Sequence, residues 1–348
     1  MRVGTICYAT EQGIGYLPKD FYDHGVVTDV AVFRHGSRPT HIEWYPEGTA
    51  ELVQRPFNGP VVEGWLSKLD VLLQFETPFD WQVLALAKKF GVRTCIVPMY
   101  ECTPVYRPHE PDKWICPSLL DQRDYFPKSP YLPVPVEAKW TERRVCKRFL
   151  HNGGNLGLRG HKGTREILEA WRQCKRPVDL TVRAQDTAGL RTLLSDVFDQ
   201  RILYQDERAW FRRPHGASLH VDMRPVARED LFPADFDCFV MAEKYNGLSL
   251  PLQEAFASGM CIVTSARFPM TTWLPNEPLI PVASYSRQRV GGPFNWYEEA
   301  KVDPRDIADK LDELYGADVY AYSLLGRQYA LENSWEKLGP LWREELNR

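Results

Sequence analysis

No stretch of about 18 consecutive apolar residues occurs in the 348-residue chain, so nothing in it reads as a membrane-spanning helix. Paired cysteines are missing too. The 8 cysteines are scattered without any C-x-x-C spacing, which disfavours a disulfide framework or a zinc site and fits buried thiols in a reducing cytosol. Charge of one sign is lacking: 43 Lys and Arg stand against 46 Asp and Glu, for a net charge of -3. That balance excludes a uniformly basic surface that coats nucleic acid, although not a local basic groove. The first residues carry Glu11, Lys19 and Asp20 in a mixed pattern, so no signal peptide is expected and the expected location is cytoplasmic. A Walker loop is absent, and no D-x-D stands in a suitable loop, the nearest being Asp235-Phe236-Asp237 and the stretch 303–306. What is present is 44% hydrophobic and 26% charged residues, an ordinary globular composition at a length that suggests two domains.

Strand-like runs at 1–9, 28–34, 70–75 and 92–99 alternate with helical spacing at 61–69 and 81–90. Such alternation implies parallel strands with helical crossovers, hence a doubly wound α/β sheet. After the first strand, Gly13 and Gly15 form a G-x-G that reads as a ligand-approaching loop or as a plain turn. Glu76 and Glu101 end two strands, where they read as part of the rim at which ligands of such sheets bind or as solvated loop residues. Arg34, His35, Arg38, His41, Trp44 and Tyr45 make a mixture suited to stacking on bases or sugars. A short strand at 113–117 and a helix at 118–125 precede a cluster of prolines, Pro127, Pro130, Pro133 and Pro135. These make residues 126–140 an interdomain linker, since a segment of fixed φ and few donors resists regular structure.

A second alternating series begins at 148–151, ending in His151, and enters the glycine-rich segment 152–163 with Gly154, Arg159 and Lys162. Its glycines allow close approach, and its two cations can neutralise a diphosphate. An amphipathic helix at 164–173 follows, then short strands at 177–183 and 201–204 around a helix at 190–198. A strand at 237–242 then runs into a turn with Asn246 and Gly247, and a helix starts near Pro251. Orphan amides and the helix dipole favour an anion at such an end. Glu254, one turn in, can reach a ribose beyond it or serve as an ordinary solvated or capping residue.

The order of strand, glycine-rich loop with H-K-G, helix, strand and N-G-L-S-L-P-L-Q-E-A-F-A-S-G (246–259) resembles the donor-binding half of GT-B glycosyltransferases. More narrowly, it is similar to the large retaining family marked by E-x7-E. The likeness covers residues 147–282 well and the closing helix with Ser334-Trp335 more loosely, while the N-terminal half is similar in layout only. It implies two Rossmann-like doubly wound domains facing across a cleft. The expected boundaries are 1–140 for an acceptor-side domain, 141–325 for a nucleotide-sugar domain and 326–348 for a closing helix that packs back on the first. The expected activity is metal-independent transfer, with retention, from a nucleotide-sugar, UDP-linked by preference.

Residue by residue, the resemblance gives Glu254 the ribose and Lys162 the donor diphosphate, with Arg159 as the companion cation. Gly247, Leu248 and Ser249 supply backbone amides, and Gly13 to Gly15 correspond to the first-domain loop facing donor and acceptor. Glu101 falls where the family has a strand-end histidine. Eight residues before Glu254 stands Asn246, so the first motif glutamate is missing. Asparagine can still orient sugar hydroxyls but brings no charge to a developing oxocarbenium. Glu101 or His151 is the candidate if a protein base acts, with a structural hydrogen bond as the other reading of His151.

The acceptor stays open. Compact phage-type GT-B enzymes that glycosylate hydroxymethylated bases in DNA are similar in their N-G-L-S-L-P-L-Q-E-A neighbourhood, which makes DNA the first expectation. A cell-envelope polysaccharide or lipid is the second, although no basic amphipathic helix is evident in residues 1–140. A non-catalytic nucleotide-sugar-binding module and a sugar-nucleotide epimerase are the rivals from other classes.

Overall fold

The computed structural model describes residues 1–348 except 35, 37–38, 155–159, 199–201 and 291–294. The chain divides into two units. The first comprises Met1–Pro135, Arg289–Trp296 and Asn333–Arg348, and the second Val136–Gln288 and Tyr297–Glu332. The long boundary thus falls after Pro135, among the clustered prolines.

In the first unit the chain runs β1 (Val3–Cys7), α1 (Gly13–Asp23), β2 (Asp29–Phe33), β3 (Ala50–Leu52), α2 (Pro60–Leu66), β4 (Val71–Glu76), α3 (Gln82–Lys89), β5 (Arg93–Pro98) and β6 (Lys113–Trp114). The strands form a six-stranded sheet of order β3-β2-β1-β4-β5-β6. Every pairing in it is parallel, from Gly4 beside Asp29 to Ile96 beside Trp114. Near-continuous apolar runs such as V-L-L in β4 suit this arrangement, because helices cover both faces of a parallel sheet.

The second unit contains β7 (Arg148–Asn152), α4 (Thr164–Gln173), β8 (Asp179–Arg183), α5 (Thr187–Phe198), β9 (Arg208–Arg212), β10 (Ser218–Asp222), β11 (Cys238–Met241), α6 (Leu250–Ala257) and β12 (Cys261–Thr264). β13 (Ser284–Val290) and β14 (Asn295–Lys301) form a two-stranded sheet, and α7 (Pro304–Leu314) and α8 (Tyr320–Glu332) follow. The main sheet has the order β12-β11-β7-β8-β10-β9 and is parallel except for β9 against β10. Its two faces bury alternate residues of the same strands: Phe149, Cys238, Val240, Cys261 and Val263 on one side, Leu150, Phe239, Met241 and Ile262 on the other.

The last helix, α9 (Trp335–Asn347), belongs to the first unit. Phe21 meets the rings of Trp335 and Trp342 edge-on at 5.1 and 4.9 Å, and Trp342 Nε1 donates to the Pro133 carbonyl at 3.0 Å. Among the described residues no helix is long and apolar enough to cross a membrane.

Three expectations of local structure need correction. The segment 201–204 supplies no strand among its described residues; Ile202 and Tyr204 instead lay apolar side chains on the core from irregular backbone. The strands lie later, at β9 and β10, where R-A-W-F-R and S-L-H-V-D alternate buried and less buried positions. The helix expected at 118–125 is present from residue 119, but it winds as a π-helix over Asp121–Tyr125, where the Asp121 side chain is held by the Tyr100 amide at 2.8 Å and by the Ser118 hydroxyl. Gly13 and Gly15 are not a loop: α1 starts at Gly13, and Gly15 sits in its first turn, where a Cβ would collide with the Thr10 carbonyl. Close packing of helix on turn explains that glycine.

Candidate functional site

In the second unit, β7 is flanked by β8 on one side and by β11 on the other, so the chain leaves β7 and β11 in opposite senses. Ligands of doubly wound sheets bind beyond the carboxyl ends of the strands at such a switch point. The described loop residues that meet there are 153–154 and 160–163, between β7 and α4, and 242–249 after β11.

A glycine brings the two loops together. Gly163 has φ +69°, and a Cβ on it would lie 2.5 Å from the Ala242 carbonyl oxygen and 2.7 Å from the Ala242 Cβ. Only glycine accommodates both that backbone and that approach. Its sequence neighbour Lys162 is thereby set beside Glu243, the neighbour of Ala242. Lys162 Nζ lies 3.4 Å from the Asn152 carbonyl, and a Cβ on Gly154, at φ +64°, would stand 3.1 Å from the ammonium. Burial holds the Lys162 ammonium below the usual lysine range, with the Glu243 charge opposing that shift.

Glu243 is 1% exposed, and its Oε2 has no hydrogen-bond partner among the described residues. Burial pushes its carboxyl up to about 7, against Arg267, the Ser249 hydroxyl and Lys162, which all favour the charged form. Arg267, 4% exposed, donates to the Phe268 carbonyl at 2.8 Å and to the Asn246 carbonyl, tying the following loop to the turn.

The turn itself is built by Asn246. Its Oδ1 accepts from the Leu248 and Ser249 amides, at 2.9 Å each. Ser249 adopts φ +48°, a left-handed backbone uncommon outside glycine, and then α6 begins with Pro251 in its first turn. Leu248 is 2% exposed and anchors the turn, with Gly247 buried beside it. Thus two amides expected to face an anion are engaged by Asn246 in this structure. Asn246 Nδ2 makes no hydrogen bond among the described residues. Glu254 is about one-fifth exposed, and its Oε1 lies 3.6 Å from Arg228 Nη2.

His151 is a core histidine, which removes it as an acid–base candidate. It is fully buried, Nδ1 lies 2.8 Å from the Val240 carbonyl and Nε2 lies 2.9 Å from the Thr164 hydroxyl. Desolvation lowers its pKa to about 4, so at neutral pH it is an uncharged link between β7, β11 and α4. Glu101 lies in the first unit, half-buried in the turn after β5 beside Cys102. Arg159 lies outside the described residues, as do His35 and Arg38. Among the described residues no group of three His, Cys, Asp or Glu side chains is arranged to hold a metal ion.

Sequence reasoning passed over Glu243, Arg267 and Arg228. The signal for Glu243 was available: it follows the apolar run C-F-V-M-A directly, the same strand-end position that singled out Glu76 and Glu101.

No family model and no curated relative matches the chain. Solved structures do. Anabaena HepE, determined in complex with UDP and glucose, aligns over 100% of this chain and 98% of its own at a TM-score of 0.62 and 10% identity. The fold is that of the GT-B glycosyltransferases. WaaG, a glycosyltransferase involved in lipopolysaccharide biosynthesis, shares this GT-B fold at a TM-score of 0.54 and 12% identity, over 99% of both chains. The pneumococcal O-GlcNAc transferase GtfA, in complex with UDP and GlcNAc, aligns over 82% of this chain but 59% of its own, at a TM-score of 0.51 and 10% identity. At such identities the GT-B likeness concerns the fold.

Proposed function

We propose that the protein is a glycosyltransferase that moves a sugar from a nucleotide-sugar, a UDP-sugar by preference, to an acceptor hydroxyl. The observation that carries this is the switch point of the second unit, where Gly163 sets Lys162 against the loop that opens α6. A cation and a helix N-terminus converge there, as the leaving diphosphate requires, without recourse to a metal. Glu254, one turn into α6, is suited to the ribose hydroxyls. UDP in the similarly folded HepE and GtfA supports the choice of nucleotide.

The proposed reaction retains configuration. The bond from the anomeric carbon to phosphate breaks, the bond to the acceptor oxygen forms on the same face, and the departing phosphate oxygen takes the acceptor's proton. Asn246 offers Nδ2 to a sugar hydroxyl where the resembled family has a carboxylate. For the acceptor, a cell-envelope saccharide or lipid-linked glycan is favoured over a hydroxymethylated DNA base. The observation behind that choice is the shared fold with WaaG, together with the balanced net charge.

A thermal-shift panel of UDP-, GDP- and ADP-sugars tests the donor. A saturating UDP-sugar at about 100 times its Kd stabilises the protein by about 2.7 kcal/mol, a readable rise in Tm. Lys162→Ala and Glu254→Ala are expected to lose that rise. No shift with any sugar nucleotide would overturn the proposal, and slow hydrolysis of the bound donor separates an enzyme from a binding module.

A further inference from the structure

Glu243 has no task in the donor chemistry just described, yet its surroundings are the donor loops. It is the first residue beyond Ala242, against which Gly163 packs, and so is held beside Lys162. The Ser249 hydroxyl, 1% exposed in the strained turn before α6, faces it. Its own carbonyl accepts from Ser265 Oγ, which fixes the backbone from the β12 side. A buried carboxyl with one oxygen unpartnered is destabilising relative to a well-packed apolar side chain. Packing alone gives no reason to keep one.

Resting on the nucleotide-sugar reading above, we propose that Glu243 is a positioning residue of the donor site. Its carboxyl holds the Lys162 ammonium and the Ser249 hydroxyl toward the diphosphate, and it takes up a proton when that diphosphate binds. Without donor, an ionised Glu243 partly compensates Lys162. When the diphosphate dianion arrives, three negative groups would crowd one buried ammonium, and protonation of Glu243 relieves the excess. Lys162 is then released to the ligand without leaving a buried anion behind it.

The neighbours from each packed element leave Glu243 as the group that titrates. Arg267 and Lys162 are the cations that act on it. Lys244, next along the chain, is engaged by Glu166 at 2.6 Å and Glu299 at 3.9 Å. His151 on β7 and His161 in the loop before α4 are both lowered to about 4, so both are neutral near pH 7. Thr264 at the end of β12 carries no charge.

Isothermal titration of the full chain with UDP-glucose, in two buffers of different ionisation enthalpy, reads the proton directly. Both phosphates of UDP-glucose are diesters and do not titrate near neutrality, so any proton exchanged belongs to the protein. The expected result at about pH 8 is uptake of close to one proton, with affinity falling about tenfold per pH unit above pH 7. In Glu243→Gln the uptake is expected to vanish, leaving a pH-independent affinity about tenfold tighter than wild type at about pH 8. Wild-type binding with no proton uptake overturns the proposal, even if the variant does not fold, and so does uptake that persists in Glu243→Gln. A wild-type chain that does not bind UDP-glucose at any pH overturns the donor reading itself, which is a different failure from tight, pH-independent binding.

Discussion

The Asn246 side chain caps the turn that Ser249 ends: Oδ1 accepts from the Ser249 amide at 2.9 Å, and from Leu248 at the same distance. Asn246, which stands eight residues before Glu254, therefore shapes the entry to α6. Asn246→Asp keeps the acceptor oxygen and is expected to leave Tm nearly unchanged. Asn246→Ala removes the cap and should cost about 1 kcal/mol, a fall of about 2–4 °C in a unit of this size. Turnover separates the two roles of the side chain. If Nδ2 orients the sugar, Asn246→Ala loses rate as Glu254→Ala does; an unchanged rate in Asn246→Ala confines the residue to capping.

Gly163→Ala should be costlier. Its φ of +69° disfavours any Cβ, and that Cβ would meet Ala242 backbone at 2.5 Å. Backbone strain and overpacking together predict a loss of about 2–4 kcal/mol. The displaced loop also carries Lys162, so the UDP-sugar thermal shift should fall with it. Gly13→Ala is the control, since a Cβ there meets nothing within 4 Å. Both Tm values and both ligand shifts come from one set of melting curves, and an unaltered ligand shift in Gly163→Ala would separate the loop from the donor site.

Much of the architecture was legible because parallel strands buried on both faces leave apolar runs, such as V-L-L-Q-F in β4 and C-F-V-M in β11. Strands β9 and β10 were not, because they bury one face and carry arginine, tryptophan and histidine on alternate positions. At the site, Lys162 and the start of α6 could be read from glycines and Pro251, whose backbone requirements are local. Glu243 could not be assigned a task from its position alone. Its importance comes from Gly163 lying on Ala242, a contact between segments about 80 residues apart. Likewise, no sequence pattern distinguishes a catalytic strand-end histidine from His151, whose ring is taken up by Val240 and Thr164.

That ring predicts a pH dependence of stability. The pKa of His151 in the folded chain is lowered to about 4, so the unfolded chain, with an ordinary histidine, binds more protons between about pH 4 and 6.5. Its contribution is therefore fully present above about pH 6.5 and is lost as pH falls toward 4, at up to about 1.4 kcal/mol per pH unit. Glu243 works in the opposite sense, because its folded pKa is raised to about 7 and stability from it declines as pH rises. The difference between wild type and His151→Gln isolates the histidine. The variant should be less stable near neutrality, by about 1–3 kcal/mol for the disturbed buried hydrogen bonds, and its deficit should shrink toward pH 4.5. A deficit independent of pH would show that His151 is not held neutral.

The acceptor can be decided by salt. Contact with DNA phosphates releases counterions, so affinity falls steeply with ionic strength, with a log–log slope of about -0.9 per phosphate neutralised. A saccharide acceptor is uncharged or sparsely charged and is held by stacking and hydrogen bonds, which respond weakly to salt. The chain as a whole offers DNA no net attraction at -3, so any DNA affinity has to come from a local groove and must show that slope. Gel shift with duplex DNA from about 50 to 200 mM salt, beside transfer assays with oligosaccharide acceptors, is expected to show no salt-dependent DNA complex and sugar transfer to the oligosaccharide. A steep salt slope accompanied by transfer to hydroxymethylated DNA would reverse the acceptor assignment while leaving the donor site as proposed, because the roles proposed for Lys162, Asn246 and Glu254 all concern the nucleotide-sugar and not the acceptor.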